Sequence, residues 1–171
     1  MRARGENRMT QIPSRIVDEA IRRVKLNDSS LITKGQERAL AARLAFYLQK
    51  DLSGWNVDCE YNRQGMGTDP KQTSAGDTKR PDIVIHRRGL LEKPDNLLYI
   101  EVKIENADTW EDKPKVKEFT SPPSRERTFQ YQFGLLLSFL PKITKEWYAD
   151  GRNIMDELKL PQELRERDDP L

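Results

Sequence analysis

The chain has 171 residues, 34% charged and 36% hydrophobic, with one Cys and one His, a length that suits one domain with one core. It has no apolar run near the ~20 residues of a membrane helix and no secretory apolar stretch over residues 1–10, so a cytoplasmic location without a membrane partner is expected. Cys59 alone cannot close an internal disulfide, the common zinc sites lack their ligands, and His86 alone excludes His-pair mechanisms, so any chemistry rests on carboxylates, lysine and a metal ion.

Net charge is +2, unevenly spread: the first 50 residues carry 11 Lys and Arg against 5 Asp and Glu, and the remaining 121 sum to −4. A basic N-terminal third suits a polyanionic partner, although a solvated helix surface rich in Arg accounts equally well for the charge. Ile16, Val17, Ala20, Ile21 and Val24 follow helical spacing and predict an amphipathic helix from Pro13 to Leu26, with Pro13 in its first turn. After a polar break over Asn27 to Ser30, Thr33 with Gln36 resembles a capping box, and Leu40, Leu44 and Leu48 carry a second helix to about Leu52. At about 100° per residue, Glu37 falls in the middle of that helix's apolar stripe. A carboxylate there calls for a partner or a metal, unless it only favours the helix dipole.

Beyond Ser53-Gly54, the alternation of Trp55, Val57, Cys59 and Tyr61 with polar residues predicts a half-buried strand. Residues 64–80 read as a long loop. Two Ile- and Val-rich segments, Asp82 to His86 and Leu97 to Ile104, predict an antiparallel hairpin. Setting Asp82 opposite Glu101 centres its turn between Leu91 and Glu92. A one-residue slip would invert the apolar face, so the pattern itself favours the register that joins the two carboxylates. Glu101 and Lys103 then share one face while Ile100, Val102 and Ile104 share the other.

A helix toward Phe119 follows, capped by Asp108 or Thr109 or starting at Pro114. Phe129 to Leu140 and Lys142 to Tyr148 read as strands, Asn153 to Leu160 as a short helix and Arg165 to Leu171 as a charged tail. Trp110, Trp147 and Tyr148 are candidates for stacking on bases, although aromatics in so short a chain are more often core. His86 is read as a strand-end residue without a role. The whole chain, 1–171, is expected to be one α/β domain, a mixed sheet flanked by helices, with flexible stretches at 1–10, 64–80 and 165–171.

Neighbouring carboxylates repel unless a cation lies between them. A hard ion such as Mg2+ or Mn2+ needs only one or two of them and can acidify water and stabilise a phosphate. Taken singly, Asp82, Glu101 and Lys103 have ordinary structural explanations. In register together, with Glu37 upstream, they point to metal-dependent phosphodiester hydrolysis.

Pro81-Asp82 followed by Glu101-Val102-Lys103, with Glu37 on the preceding helix, resembles the signature of the restriction-endonuclease-like PD-(D/E)XK nuclease superfamily over about residues 33–140. The resemblance implies an α-β-β-β-α-β core, here with an extra N-terminal helix. It implies Asp82 and Glu101 as metal ligands, Glu37 as an additional metal or water-holding residue, and Lys103 as the water-orienting or charge-stabilising group. It also implies a Gln after the second core helix, Gln130 or Gln132, and nucleic acid as partner, DNA ahead of RNA. Whether two copies pair as a homodimer is left open. Lys34-Gly35 with Glu37-Arg38 is also similar to the start of archaeal Holliday-junction resolvases, from whose short connection the 64–80 loop departs. The competing function is a non-catalytic nucleic-acid-binding module, in which the basic helices and Arg63, Lys71, Lys79 and Arg80 would contact phosphates.

Overall fold

A computed structural model of the chain describes residues 4–61, 80–90, 93–105, 109–125 and 129–156, with backbone alone for 4–12 and 109–111. Three helices come first: α1 (Arg4–Asn27), α2 (Ser29–Thr33) and α3 (Glu37–Asp51). Strands β1 (Asn56–Cys59), β2 (Ile83–His86) and β3 (Asn96–Glu105) follow, then helix α4 (Thr109–Thr120) and strands β4 (Phe133–Leu140), β5 (Thr144–Ala149) and β6 (Arg152–Asn153). The strands form one mixed sheet in sequence order. Only β3 and β4 run parallel, joined across one face by α4. No helix among the described residues is long and apolar enough to cross a membrane.

Strand alternation divides the sheet into two apolar faces. Ile83, Ile85, Leu98, Ile100, Val102, Leu135 and Leu137 pack under α1 and α3. Val84, Tyr99, Leu136 and Tyr148 pack with Val116 and Phe119 of α4 and with Phe129 and Tyr131. The first core draws on Val17 of α1 and on Ile154, beyond the 33–140 span of the resemblance.

The helical stripe on α1 is as expected, with Val17, Ala20, Ile21 and Val24 buried, but the helix backbone begins at Arg4 and encloses Pro13. The capping box is not formed. Thr33 ends α2 and turns its hydroxyl back to the Ser30 carbonyl, and Gln36, which precedes α3, makes no side-chain cap. A Schellman turn takes its place: Gly35, at φ +67°, donates its N–H to Ile32 O, and Gln36 donates to Leu31 O. Left-handed backbone is cheap for glycine, so Lys34-Gly35 is a helix stop that aims α3 back at the sheet.

The hairpin adopts the expected register, with Ile83 opposite Ile100, Val84 opposite Tyr99 and Ile85 opposite Leu98, slipping only at a bulge beside His86. Strand β4 begins at Phe133, four residues later than expected. Phe129 and Tyr131 precede it as buried members of the aromatic cluster under α4, where Phe119 stacks on Tyr99 and Phe129 at 4.9 and 5.3 Å. Trp147 and Tyr148 are core residues on opposite faces rather than base-stacking platforms. Asn153, expected to open a helix, instead lies in strand β6, because Asp150 and Gly151, both at positive φ, turn β5 back in a tight hairpin; helical backbone is described only at residues 155–156. Asp-Gly between strands is a strong signal for that turn. The expected loop over 64–79, the 165–171 tail, residues 157–160 and the side chains of Arg63, Lys71, Lys79 and Trp110 lie outside the described residues.

Helix α4 approaches β4 so closely that a Cβ on Gly134 would meet Val116 Cγ1 at 2.4 Å and Thr120 Cγ2 at 2.9 Å. Gly134→Ala is therefore expected to lift α4 from the sheet and to lower the unfolding free energy by about 1–3 kcal/mol. Chemical denaturation measures it, and an unchanged midpoint would mean that the helix docks elsewhere.

Candidate metal centre

β2 begins only at Ile83, opposite Ile100, while β3 continues to Glu105. Beyond the last β2 pair, two side chains replace the missing strand. Asp82 Oδ2 accepts the Val102 N–H at 2.7 Å, and Glu37 Oε2, from the first turn of α3, accepts the Ile104 N–H at 3.3 Å. Both carboxylates are thereby drawn to the edge of the strand that carries Glu101 and Lys103.

The four expected residues meet there. Glu101 is 4% exposed and accepts the Tyr99 hydroxyl. Lys103 Nζ lies 3.4 Å from Glu37 Oε1 and 3.2 Å from Asp112 Oδ2. Glu37 thus lies at the rim, with one oxygen on β3 backbone and the other on Lys103, rather than deep in the α3 stripe. An open cleft of about 290 Å3, lined by Arg38, Ala41, Cys59, Glu60 and Asp82, gives access to Asp82. Arg38, at its mouth, pairs with Glu60 at 3.5 Å.

Gln130 and Gln132 stand apart from this group. Gln130 donates to Thr120 O and Asp150 Oδ1, tying the approach to β4 onto the end of α4 and the β5–β6 turn, and Gln132 donates to Pro94 O. His86 is the last residue of β2, held by Asp58 at 2.8 Å.

Sequence reasoning missed Asp112 and Lys115. Asp112, on α4, is 3% exposed, and its Oδ1 is 2.5 Å from Lys115 Nζ. An Asp-x-x-Lys step at helical spacing was the available signal, but its burial against β3 depends on where α4 docks.

Four carboxylates (Glu37, Asp82, Glu101, Asp112) face two ammonium groups, an excess of two negative charges when all are ionised. Burial and the neighbouring Asp82 push Glu101 up to about 8. Burial also raises Asp82, against the Val102 N–H, Glu101 and Lys103, which favour its charged form. Burial disfavours the charge on Lys103, but Asp112, Glu37 and Asp82 outweigh it and hold the amine above its usual range.

Among the described residues no group of three His, Cys, Asp or Glu is arranged to hold a metal. The donor set on offer is the pair Asp82 and Glu101, held apart in charge by mutual repulsion. Two hard oxygen donors and a deficit of two positive charges fit a divalent ion that keeps most of its waters. No protein-family model matches the chain, and no curated protein or solved structure is significantly similar to it.

The raised Glu101 gives a signed pH dependence. Below about 4.5 the carboxyl is protonated whether the chain is folded or not; above that the unfolded chain releases the proton while the folded one keeps it up to about 8. Stability from this group is therefore full at acid pH and is lost as pH rises through that window. In metal-free buffer, Glu101→Gln is expected to gain thermal stability over the wild type as pH rises across it. A difference in Tm that does not vary with pH would contradict this environment for Glu101.

Proposed function

We propose that the chain is a divalent-metal-dependent nuclease with a restriction-endonuclease-like fold, hydrolysing phosphodiesters of nucleic acid, DNA ahead of RNA. The reading is carried by one observation: two carboxylates, the half-buried Asp82 and the buried Glu101, are neighbours, with a charged lysine two residues beyond Glu101 on the same strand. A lysine beside two acids, one of which opens onto the cleft lined by Arg38, Ala41, Cys59 and Glu60, suits hydrolysis without histidine.

Asp82 and Glu101 would hold Mg2+ or Mn2+. When bound, such an ion supplies an acidified water and positive charge for the phosphate oxygens. Lys103, fixed between Glu37 and Asp112, faces the reacting group with its ammonium and either orients the attacking water or neutralises charge developing on the phosphate. Glu37 limits where that ammonium can go. Arg38, 93% exposed at the mouth of the cleft, and the basic surplus of the first 50 residues supply attraction for a polyanion.

Cleavage of plasmid or oligonucleotide is expected with Mg2+ or Mn2+ and to fall at least about 100-fold in Lys103→Ala, with the unfolding transition retained. If neither metal supports cutting of any DNA or RNA form, the enzymatic reading is wrong. Calorimetric titration with Mn2+ separates the alternative: heat that disappears in Asp82→Asn supports the metal centre, whereas a wild type without heat leaves a non-catalytic binding module.

A further inference from the structure

Asp112 is the most deeply buried acid of the group, 3% exposed. A buried carboxylate is costly unless it is paired, and the packing of α4 has no need of one, since its inward stripe continues as Val116, Phe119 and Thr120. Both of its oxygens are committed to amines: Oδ2 to Lys103 of β3 at 3.2 Å and Oδ1 to Lys115 of α4 at 2.5 Å. Lys103 is therefore held from two directions, by Asp112 on the helix that covers its own sheet face and by Glu37 from α3, which covers the opposite face. A long, four-carbon side chain has no fixed direction of its own. Two carboxylate anchors give it one.

We propose that Asp112 is a positioning residue: it aims the Lys103 ammonium at the Asp82 and Glu101 pair and brings a second ammonium, Lys115, into the same group. The site then offers a phosphodiester two cations from two different elements rather than one. The task assigned to these amines rests on the nuclease reading; the claim that Asp112 fixes them does not. Lys115 lies close enough to feel the charge of Glu101, which, with Asp112, keeps its own amine charged against burial. The close seating of α4 at Gly134 makes the arrangement possible, because Val116 and Thr120, four and eight residues beyond Asp112, are the side chains that touch that glycine position.

The test is Asp112→Asn, which keeps size and hydrogen-bonding capacity but removes the charge. Nitrogen-15 NMR of lysine ammonium groups reads the amines directly, since ion pairing slows their proton exchange. Lys103 and Lys115 are expected to give resolved signals in the wild type and to lose them in Asp112→Asn. Lys113→Ala, which cuts the Lys113 to Glu146 ion pair on the same helix, should leave both signals in place. In parallel, kcat for metal-dependent cleavage should fall about 10- to 100-fold in Asp112→Asn, in line with the cost of a misplaced group, with KM within about threefold. A Lys103 signal that survives in Asp112→Asn, or an unchanged kcat, overturns the proposal. Should Asp112→Asn fail to fold, Lys115→Met decides: Asp112 then holds Lys103 alone, so the Lys103 signal should persist, and its loss would overturn the assignment. A wild type that cuts nothing removes the nuclease reading, while the ammonium signals still decide whether Asp112 fixes Lys103.

Discussion

The site depends on an unpaired strand edge. Strand β3 outruns β2, and its exposed N–H groups at Val102 and Ile104 would be left without partners once covered by α3 and the approach to β2. An unsatisfied buried amide costs about 1–3 kcal/mol, so the fold meets both with carboxylates from Asp82 and Glu37. These two acids are therefore placed by backbone hydrogen bonding, before any question of chemistry arises. Because strand alternation puts Glu101 and Lys103 on the adjoining stretch of the same strand, satisfying the edge also concentrates charge there.

That concentration sets the electrostatics. Asp82 and Glu101 are too close and too dry for both to be comfortably ionised, and the result is a proton held on the pair well into neutral pH. The dryness of Glu101 has a structural source. Tyr99, two residues earlier on the same face, is fully buried against Phe119 and Tyr131, and its hydroxyl reaches Glu101. The aromatic cluster under α4 thus serves as core and as the low-dielectric wall of the acid group. Lys103 and Lys115 offset part of the negative charge. The negative charge that remains is what the proposed divalent-ion site rests on.

Helix α4 connects this chemistry to the parallel crossover. To return the chain from the end of β3 to β4, the helix must lie over the face that bears Tyr99, Glu101 and Lys103. Gly134 lets it lie close, and Asp112 is on its sheet-facing side. The ion pairs of Asp112 are therefore tied to the same contact that closes the second core.

The local features were legible in the sequence wherever period and turn chemistry decide them. The alternation of Ile100, Val102 and Ile104 with Glu101 and Lys103 disfavours a one-residue slip against Asp82 to Ile85, and the register it favours sets Asp82 beside Glu101. The stripes of α1 and α3 follow from spacing in the same way. Thr33 and Gln36 misled because a Schellman turn at Gly35 and a capping box at Thr33 place similar residue types at the same junction. Asp150-Gly151 carried a plain hairpin signal that a helical reading of the following residues obscured. Sequence could not disclose Asp112 or Lys115, nor which backbone groups Glu37 would meet. A strand's facing residues are set by its own repeat of two, whereas a helix's partners depend on where and how closely it docks. Here that was decided by a glycine 22 residues away from Asp112 along the chain and by the point at which β2 stops pairing.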